Sequence, residues 1–382
     1  MSRFTPSVLL FLGLLVAPFA PAPAAEFETA ATAAILVDYR NNDVLFAKNP
    51  DVPIPPASMS KLMTALVVFD EIKSGRLALD DTLPVSEKAW RMGGSRMFVE
   101  VNTRVAVRDL LRGVIVQSGN DACIVLAEAL AGSEDAFVAR MNDKARELGL
   151  ENSHFANVSG WPDPEHVMSV RDLATVARTI ILDYPEFYEL YSIREFEYNG
   201  INQLNRNPLL KANVPGVDGM KTGYTSEAGY GLVASAERDG RRLIMVIAGL
   251  NSSSQRRSES ERLLEYGFRN FHEYRLYEQG ETVAEVPVWH GEAASVPLIG
   301  EDVIGITLAE ADRDRLRARV RYEAPVPAPI TAGQRLGEIE LMLDGERAAG
   351  IPLVAALDVP QAGMLGRMKG TLDYLVWGSG AP

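Results

Sequence analysis

The sequence predicts an α/β chain of the α+β type, in which a mainly antiparallel sheet and a helical region form one domain and a small all-β domain follows. Three observations lead to this prediction. Strand-forming runs lie near both ends of residues 26–272, helical periodicity fills the middle of that range, and short strand runs punctuated by glycine and proline fill residues 273–357.

Residues 1–25 have the composition of a signal peptide. Arg3 precedes an apolar run from Val8 to Ala20, and Ala24 and Ala25 provide small residues for cleavage. An uncleaved membrane anchor is the alternative, but the apolar run is short for a membrane span. We therefore expect an exported chain.

A β-hairpin and a helix are expected next. Ala33–Asp38 and Val44–Ala47 are rich in strand formers and flank the turn signal Asn41-Asn42-Asp43. Leu62–Ile72 has apolar residues at helical spacing and continues a helix that Ser58 opens.

Residues 104–190 are predicted to be mainly helical. The candidate helices are Val105–Ile115, Ala122–Ala131, Glu134–Leu148 and Ser169–Ile181. The single cysteine, Cys123, lies in the second of them and forms no internal disulfide. A small buried side chain is its expected role.

After Lys221 the pattern returns to strands. Gly231–Glu237 and Arg241–Leu250 flank Asp239-Gly240, a strong hairpin turn, and Ser258–Phe271 is expected to close the domain as a helix. In residues 273–357 the predicted strands are Thr282–Trp289, Val303–Leu308, Leu316–Tyr322 and Leu336–Leu343. This β-rich region carries no catalytic motif, and we expect it to hold the first domain off a surface.

Three short motifs carry the chemistry. Ser58 and Lys61 are three residues apart, which places both side chains on one helix face and pairs a hydroxyl nucleophile with an amine base. Ser118-Gly119-Asn120 and Lys221-Thr222-Gly223 follow in the chain. Each motif alone is a weak signal, since a Ser-x-x-Lys arises by chance about once in a chain of this length. Their order, with two at helix starts and one on a strand, is far more specific.

This motif set resembles that of serine β-lactamases and penicillin-binding proteins. Longer stretches are similar to low-molecular-mass penicillin-binding proteins that act as serine-type D-alanyl-D-alanine carboxypeptidases, namely Leu148–Gly160, Pro162–His166, Asn202–Asn207 and Val217–Gly223. The resemblance implies the serine β-lactamase and transpeptidase fold for residues 26–272. It also implies removal of the terminal D-alanine from peptidoglycan stem pentapeptides, acylation by β-lactams such as penicillin, and a location in the periplasm.

The resemblance assigns catalytic roles to four residues. Ser58 attacks the carbonyl between the two D-alanines, and Lys61 acts as its base, which requires a pKa well below the usual value of about 10.4. Burial and a second nearby cation would lower it. Ser118 links Lys61 to the departing amine, and the Asn120 amide holds the backbone of the substrate.

The remaining site residues are implied to bind substrate. Lys221 and Thr222 meet the terminal carboxylate, and Gly223 leaves room for an extended peptide along the strand edge. The backbone amide of Tyr224 joins that of the nucleophile in an oxyanion hole. Arg206 is either part of the carboxylate pocket or a partner in a strand-edge salt bridge.

Two loops are placed near the site by the same resemblance. Gly93–Phe98 resembles the loop beside the active site, and Asp163 and His166 fall near the rim, where a solvated loop is the expected structure. No metal or other cofactor is expected, because the four histidines are scattered along the chain. A net charge of −13 argues against a nucleic-acid partner.

Two other functions remain open from the sequence. A β-lactamase would share the motifs, but the Glu-x-x-Leu-Asn sequence that activates its deacylating water is absent. A peptidoglycan-binding protein without turnover would keep the pocket. Residues 358–382 form an amphipathic segment, interpreted as a helix that associates with the membrane surface or, alternatively, docks on the β domain.

Overall fold

The computed structural model describes residues 27–368. The predicted signal peptide and most of the predicted C-terminal amphipathic segment therefore lie outside the described residues. The helices are α1 (Lys61–Lys73), α2 (Glu87–Arg91), α3 (Val107–Arg112), α4 (Asn120–Ala131), α5 (Glu134–Glu147), α6 (Val170–Asp183), α7 (Pro185–Tyr188), α8 (Pro208–Lys211) and α9 (Ser253–Asn270).

A five-stranded antiparallel sheet forms the centre of the first domain, in the order β2-β1-β9-β8-β7. Two small hairpins, β3 with β4 and β5 with β6, lie apart from it. The strands are β1 (Ala33–Asp38), β2 (Val44–Lys48), β3 (Thr82–Pro84), β4 (Arg104–Ala106), β5 (Glu195–Tyr198), β6 (Ile201–Leu204), β7 (Val217–Thr225), β8 (Gly229–Arg238) and β9 (Arg241–Leu250).

The large sheet is covered on both faces, so its central strands are apolar throughout. Neighbouring residues of a strand point to opposite faces: Ile35 belongs to the core shared with α1, α4 and α6, and Leu36 to the core under α9. Helix α1 is buried on all sides from Lys61 to Phe69. Burial of this helix carries the Ser58 turn, which directly precedes it, into the interior beside β7.

The C-terminal region is an all-β domain, and the predicted fold class is confirmed. Its main sheet has the order β14-β16-β17-β12-β11-β15, and β10 pairs with β13 separately. The strands are β10 (Phe271–Tyr277), β11 (Thr282–Trp289), β12 (Ser295–Ile299), β13 (Ile304–Ala309), β14 (Leu316–Tyr322), β15 (Val326–Pro327), β16 (Arg335–Leu343) and β17 (Glu346–Ala355). The predicted domain boundaries at residues 272 and 357 stay predictions.

Several element boundaries differ from the predictions. Residues 105 and 106 belong to β4, which pairs with β3, so the helix predicted from Val105 begins at Val107 and gives way to a π-helical turn at Gly113–Gln117. Helix α9 begins five residues earlier than predicted, because the Ser252 side chain accepts a hydrogen bond from the Gln255 amide and caps it. Its first turn is polar, so the apolar periodicity gave no signal there.

Strands β3 to β6 of the first domain and β10, β12, β15 and β17 of the C-terminal domain were not predicted. Pro297 in β12 and both Gly350 and Pro352 in β17 act as strand breakers in a local pattern. Pairing with neighbouring strands holds these segments extended nevertheless. No helix in residues 27–368 is both long enough and apolar enough to cross a membrane.

Candidate active site

Ser58 lies on a single 3₁₀ turn, Ala57–Ser60, that runs directly into α1. Lys61 is the first residue of that helix, and its Nζ donates a hydrogen bond to the Ser58 hydroxyl at 2.8 Å. The Lys61 residue is only 1% exposed. The structure therefore places the predicted nucleophile and base in direct contact.

Lys61 makes two further contacts, and none of its three partners is charged. Nζ also donates to the Asn120 side-chain oxygen at 2.8 Å and to the Ser159 carbonyl at 2.5 Å. Burial lowers the pKa of Lys61 to about 8. A neutral amine can donate to Asn120 and Ser159 while its lone pair faces the Ser58 proton, so this geometry suits a base.

Ser118 ends the π-helical turn in the left-handed region, with a φ of 66°. Its hydroxyl is buried and has no hydrogen-bond partner within residues 27–368. Direct hydrogen bonding to Lys61, which a relay between the two would need, is therefore not formed in this structure. The Asn120 amide, predicted to hold substrate, donates from Nδ2 to the Gly93 carbonyl at 2.9 Å.

Asp121 is a site residue that the sequence analysis missed. Its buried carboxylate accepts hydrogen bonds from the backbone amides of Met97 and Phe98, each at 2.9 Å, and of Val99 at 3.3 Å. These bonds fix the end of the Gly93–Phe98 loop beside Asn120. The position directly after Ser-Gly-Asn was the available signal.

The third motif lies on β7, the edge strand of the large sheet. Lys221 and Thr222 are both buried, and Lys221 Nζ donates to the Thr222 carbonyl at 3.3 Å. Burial, followed by repulsion from Lys61, lowers the pKa of Lys221 well below its usual range. The two lysines are therefore close enough to influence each other electrostatically.

Gly223 and Tyr224 follow on the same strand. A Cβ atom on Gly223 would lie 2.7 Å from the Pro56 carbonyl oxygen. The missing side chain therefore serves the close approach of β7 to the Ser58 turn, a packing reason that differs from the predicted one. Tyr224 is 54% exposed, and its ring lies 4.2 Å from that of Tyr230.

Arg206 lies between β6 and α8 and faces the loop across the site. Its guanidinium donates to the Ser95 hydroxyl at 2.7 Å and has no acidic partner within the described chain, so the salt-bridge alternative is wrong. Desolvation lowers the pKa of Arg206, and its charge lowers that of both site lysines. Arg206 therefore adds positive charge to a site that holds two buried lysines.

The loop between α5 and α6, whose Asp163 and His166 the resemblance placed near the rim, also contributes to the site. Its Ser159 carbonyl accepts from Lys61. Gly160 has a φ of 72°, and a Cβ there would meet the Ala57 carbonyl oxygen at 2.0 Å, so the loop packs directly on the nucleophile turn. The expected solvated loop is wrong for His166, which is buried, whereas Asp163 is exposed.

The described residues offer neither a metal-binding cluster nor a reactive thiol. No cluster of three or more histidine, cysteine or acidic side chains that could hold a metal ion occurs in residues 27–368. Cys123 is buried, and burial raises the pKa of its thiol to about 11. The thiol is therefore protonated at neutral pH.

Comparison with known proteins shows which family the chain resembles. Residues 19–252 match the family described as D-alanyl-D-alanine carboxypeptidase, and residues 271–361 match the penicillin-binding protein 5 C-terminal domain. The chain is 40% identical to D-alanyl-D-alanine carboxypeptidase DacD of Escherichia coli over 364 residues, 94% of this chain and 92% of the relative.

Two solved structures are also similar. Penicillin-binding protein 5 of Haemophilus influenzae superposes with a TM-score of 0.83 at 39% identity, covering 88% of this chain and all of the other. Penicillin-binding protein D2 of Listeria monocytogenes in its ampicillin-bound form gives a TM-score of 0.59 at 31% identity, covering 64% of this chain and all of the other.

Proposed function

This chain belongs to the D-alanyl-D-alanine carboxypeptidase family of serine peptidases, and on that premise we propose that it removes the terminal D-alanine of peptidoglycan stem pentapeptides through an acyl-enzyme on Ser58. One observation carries the proposal. The Lys61 amine is buried, lies 2.8 Å from the Ser58 hydroxyl, and has its pKa lowered by burial to about 8.

Acylation follows from that contact. Lys61 takes the Ser58 proton as the hydroxyl oxygen attacks the carbonyl of the penultimate D-alanine, and the proton is returned to the departing amine when the amide bond breaks. Water then attacks the ester, which releases the shortened peptide and restores the serine. Positioned proton transfer of this kind contributes about 10²- to 10⁴-fold to a rate.

Arg206 and the Lys221-Thr222 pair account for recognition of the peptide terminus. A bound carboxylate favours the charged form of Lys221, so Lys221 and Arg206 can each make a charge-assisted hydrogen bond to it, which is the stronger kind, and Thr222 adds a hydroxyl. An incoming carboxylate would offset the mutual repulsion of the cations. The pocket therefore favours a free terminal carboxylate over an amide or ester.

Ser118 and Tyr224 complete the proposed machinery. The buried Ser118 hydroxyl, which has no partner in residues 27–368, is free to pass a proton between Lys61 and the leaving amine once substrate is bound. The backbone amides of Ser58 and Tyr224 would form the oxyanion hole. Removal of one such donor commonly costs about 10²- to 10³-fold in rate.

Penicillin should acylate Ser58 by the same route and leave slowly. The loop that packs on the nucleophile turn presents the Ser159 carbonyl to Lys61, while its acidic residues Asp163 and Glu165 are exposed. This arrangement offers no carboxylate to activate a deacylating water. It argues against the β-lactamase alternative, although both share the acylation step.

One assay separates the candidate functions. The purified chain is incubated with a peptide ending in D-Ala-D-Ala, free D-alanine is measured, and intact mass is recorded after addition of penicillin. Release of D-alanine together with a penicillin adduct supports the proposal, whereas rapid drug hydrolysis without release indicates a β-lactamase. Absence of both signals indicates a peptidoglycan-binding protein. Ser58→Ala should abolish both signals, and Ser60→Ala on the same turn should keep them.

We also propose that the chain is exported to the periplasm and attached peripherally to the cytoplasmic membrane through residues 358–382. The support is the exposure of the apolar side chains of Met364, Leu365 and Met368 where the described chain ends. The all-β domain would then act as the spacer. Release of a chain ending at residue 357 into the soluble periplasmic fraction, with the full chain retained on membranes, is the expected result; the same distribution for both chains would contradict it.

A further inference from the structure

The loop between α5 and α6 is closed at its base before it crosses the nucleophile turn. His154 and Val167 pair through both backbone hydrogen bonds, at 2.8 and 3.0 Å, and Met168 pairs with Ile54. The chain between these anchor points must therefore return to α6 within a dozen residues. Contacts that hold the interior of this loop therefore also hold the Ser159 carbonyl, which Lys61 contacts.

His166 fills the interior of this loop. The residue is 2% exposed, and its ring lies edge-on against the buried Phe155, with centroids 5.6 Å apart. The ring nitrogen Nδ1 accepts hydrogen bonds from the backbone amides of Ala156, at 3.2 Å, and Asn157, at 3.4 Å. One side chain thus holds two consecutive backbone amides.

The next two residues of the loop bind α1. The Val158 carbonyl accepts from the Thr64 hydroxyl at 2.7 Å, and the Ser159 carbonyl accepts from Lys61. The Asn157 side-chain oxygen accepts from the Ser159 amide at 3.1 Å. A continuous set of hydrogen bonds therefore joins the His166 ring to the carbonyl that holds the amine.

The ring can do this only as a neutral group. Nδ1 needs its lone pair to accept from two amides, so the proton of the neutral ring is on Nε2. Burial lowers the pKa of His166 to about 4, with smaller effects from Asp163, which raises it, and from Lys61 and His154, which lower it. Glu227, at the turn between β7 and β8, lines the same small cavity as the ring.

We propose that His166 is a positioning residue for Lys61: the neutral ring holds residues 156–159 so that the Ser159 carbonyl orients the amine, and protonation of the ring releases them. This inference rests on the proposed function, in which Lys61 is the base. It assigns to a buried histidine a role in the rate of acylation without contact with the substrate.

Two variants separate the acceptor role from simple packing. In His166→Asn the amide oxygen can take the place of Nδ1 but does not titrate, so acylation near pH 7 should stay within about threefold of wild type. In His166→Leu both amides lose their acceptor, and acylation should fall about tenfold to a hundredfold, the range typical of displaced supporting contacts. His272→Asn, an exposed histidine on β10 outside this loop, is the matched control and should match wild type.

The test measures second-order acylation by a fluorescent penicillin from pH 3.5 to 9 with the full chain. Wild type and His272→Asn should lose about tenfold per pH unit below the pKa of Lys61 and fall more steeply below about pH 4.5. In His166→Asn the acylation rate should not show the steeper fall below about pH 4.5. An unchanged acylation rate in His166→Leu would overturn the proposal. So would a fall of the rate below about pH 4.5 in His166→Asn that is as steep as that of wild type.

A second measurement keeps the test decisive where His166→Leu does not fold. Histidine labelled with ¹⁵N and ¹³C should show His166 as the Nε2-H tautomer with a titration midpoint near 4, and a midpoint near 6.5 overturns the proposal. Failure of the proposed function would be visible separately, since wild type would then neither bind penicillin covalently nor release D-alanine.

Discussion

A Cβ atom on Gly223 would lie 2.7 Å from the carbonyl oxygen of Pro56, closer than a carbon and a backbone oxygen can approach. The next contacts, Met59 at 3.0 Å and Ala57 at 3.3 Å, also belong to the segment around Ser58. The edge strand that is proposed to bind the substrate carboxylate and the turn that carries the proposed nucleophile are thus in contact through a glycine. The distance between the two halves of the site is set by this packing.

Gly223→Ala is therefore expected to damage both stability and catalysis. The added methyl group meets the Pro56 carbonyl oxygen and the side chains of Met59 and Ala57. Overpacking of this kind costs about 1–3 kcal/mol of folding free energy. Displacement of β7 from Ser58 should lower the penicillin acylation rate at least tenfold. Thermal unfolding and acylation kinetics measure the two effects. Gly363→Ala, where a Cβ has open space, is the control, and an unchanged rate in Gly223→Ala would contradict the argument.

The acylation rate should rise with pH through the neutral range. Only the unprotonated Lys61 amine can accept the Ser58 proton, and burial lowers its pKa to about 8. The rate should therefore increase about fiftyfold between pH 6 and pH 8 and level off above pH 9. Stopped-flow acylation in a series of buffers measures the profile. Lys73→Ala, at the exposed end of the same helix, should keep it, and a flat profile from pH 6 to 9 would show that another group is the base.

Arg206→Gln should weaken recognition of the carboxylate without loss of the nucleophile. A hydrogen bond between charged groups contributes about 1.5–3 kcal/mol, so kcat/KM for a D-Ala-D-Ala peptide should fall about tenfold to a hundredfold. Acylation by a penicillin methyl ester, which lacks the carboxylate, should change little. Arg257→Gln, a surface arginine on α9, is the control. Equal losses with penicillin and its ester would indicate that Arg206 acts by supporting the loop through Ser95.

The elements that the sequence predicted well are those with strong local signals. The helix after Ser58 and the β8–β9 hairpin follow from apolar periodicity and an Asp-Gly turn, and the structure has them at or near the predicted bounds. Strand β17 carries Gly350 and Pro352 and depends on pairing with β16. Pairing between separate strands of this kind leaves no recognisable pattern in a short stretch of sequence.

The site residues likewise divide into those with a local sequence signal and those that depend on long-range contacts. Ser58, Lys61 and Asn120 could be named from spacing and resemblance, because they lie within or beside short motifs. The Ser159 carbonyl reaches Lys61 only through the course of a loop nearly a hundred residues later in the chain, and backbone atoms carry no residue signature. The resemblance placed His166 near the site, but in a solvated loop, and did not indicate its hydrogen bonds to the loop backbone. The role of Gly223 in substrate binding stays a prediction, and its contact with Pro56 requires knowledge of which strand packs on which turn.

The contact between the two domains should depend on pH through Asp43. Its carboxylate accepts from the Thr307 amide at 2.6 Å, while Asp38 accepts from the Thr307 hydroxyl at 3.0 Å. Burial raises the pKa of Asp43 to about 6, so the folded chain binds more protons there than the unfolded chain between about pH 4 and 6. The contribution of this group to stability is therefore present at low pH and declines as pH rises to 6.

Asp43→Asn should remove that decline, because an uncharged amide oxygen can accept from Thr307 at every pH. The variant should have a melting temperature above that of wild type at pH 7.5, and the difference should shrink toward pH 4. Thermal unfolding from pH 4 to 8 measures it, with Asp302→Asn at an exposed turn as the control. A variant that melts below wild type at pH 7.5 would mean that the Asp43 charge stabilises the contact, in spite of its burial and its proximity to Asp38.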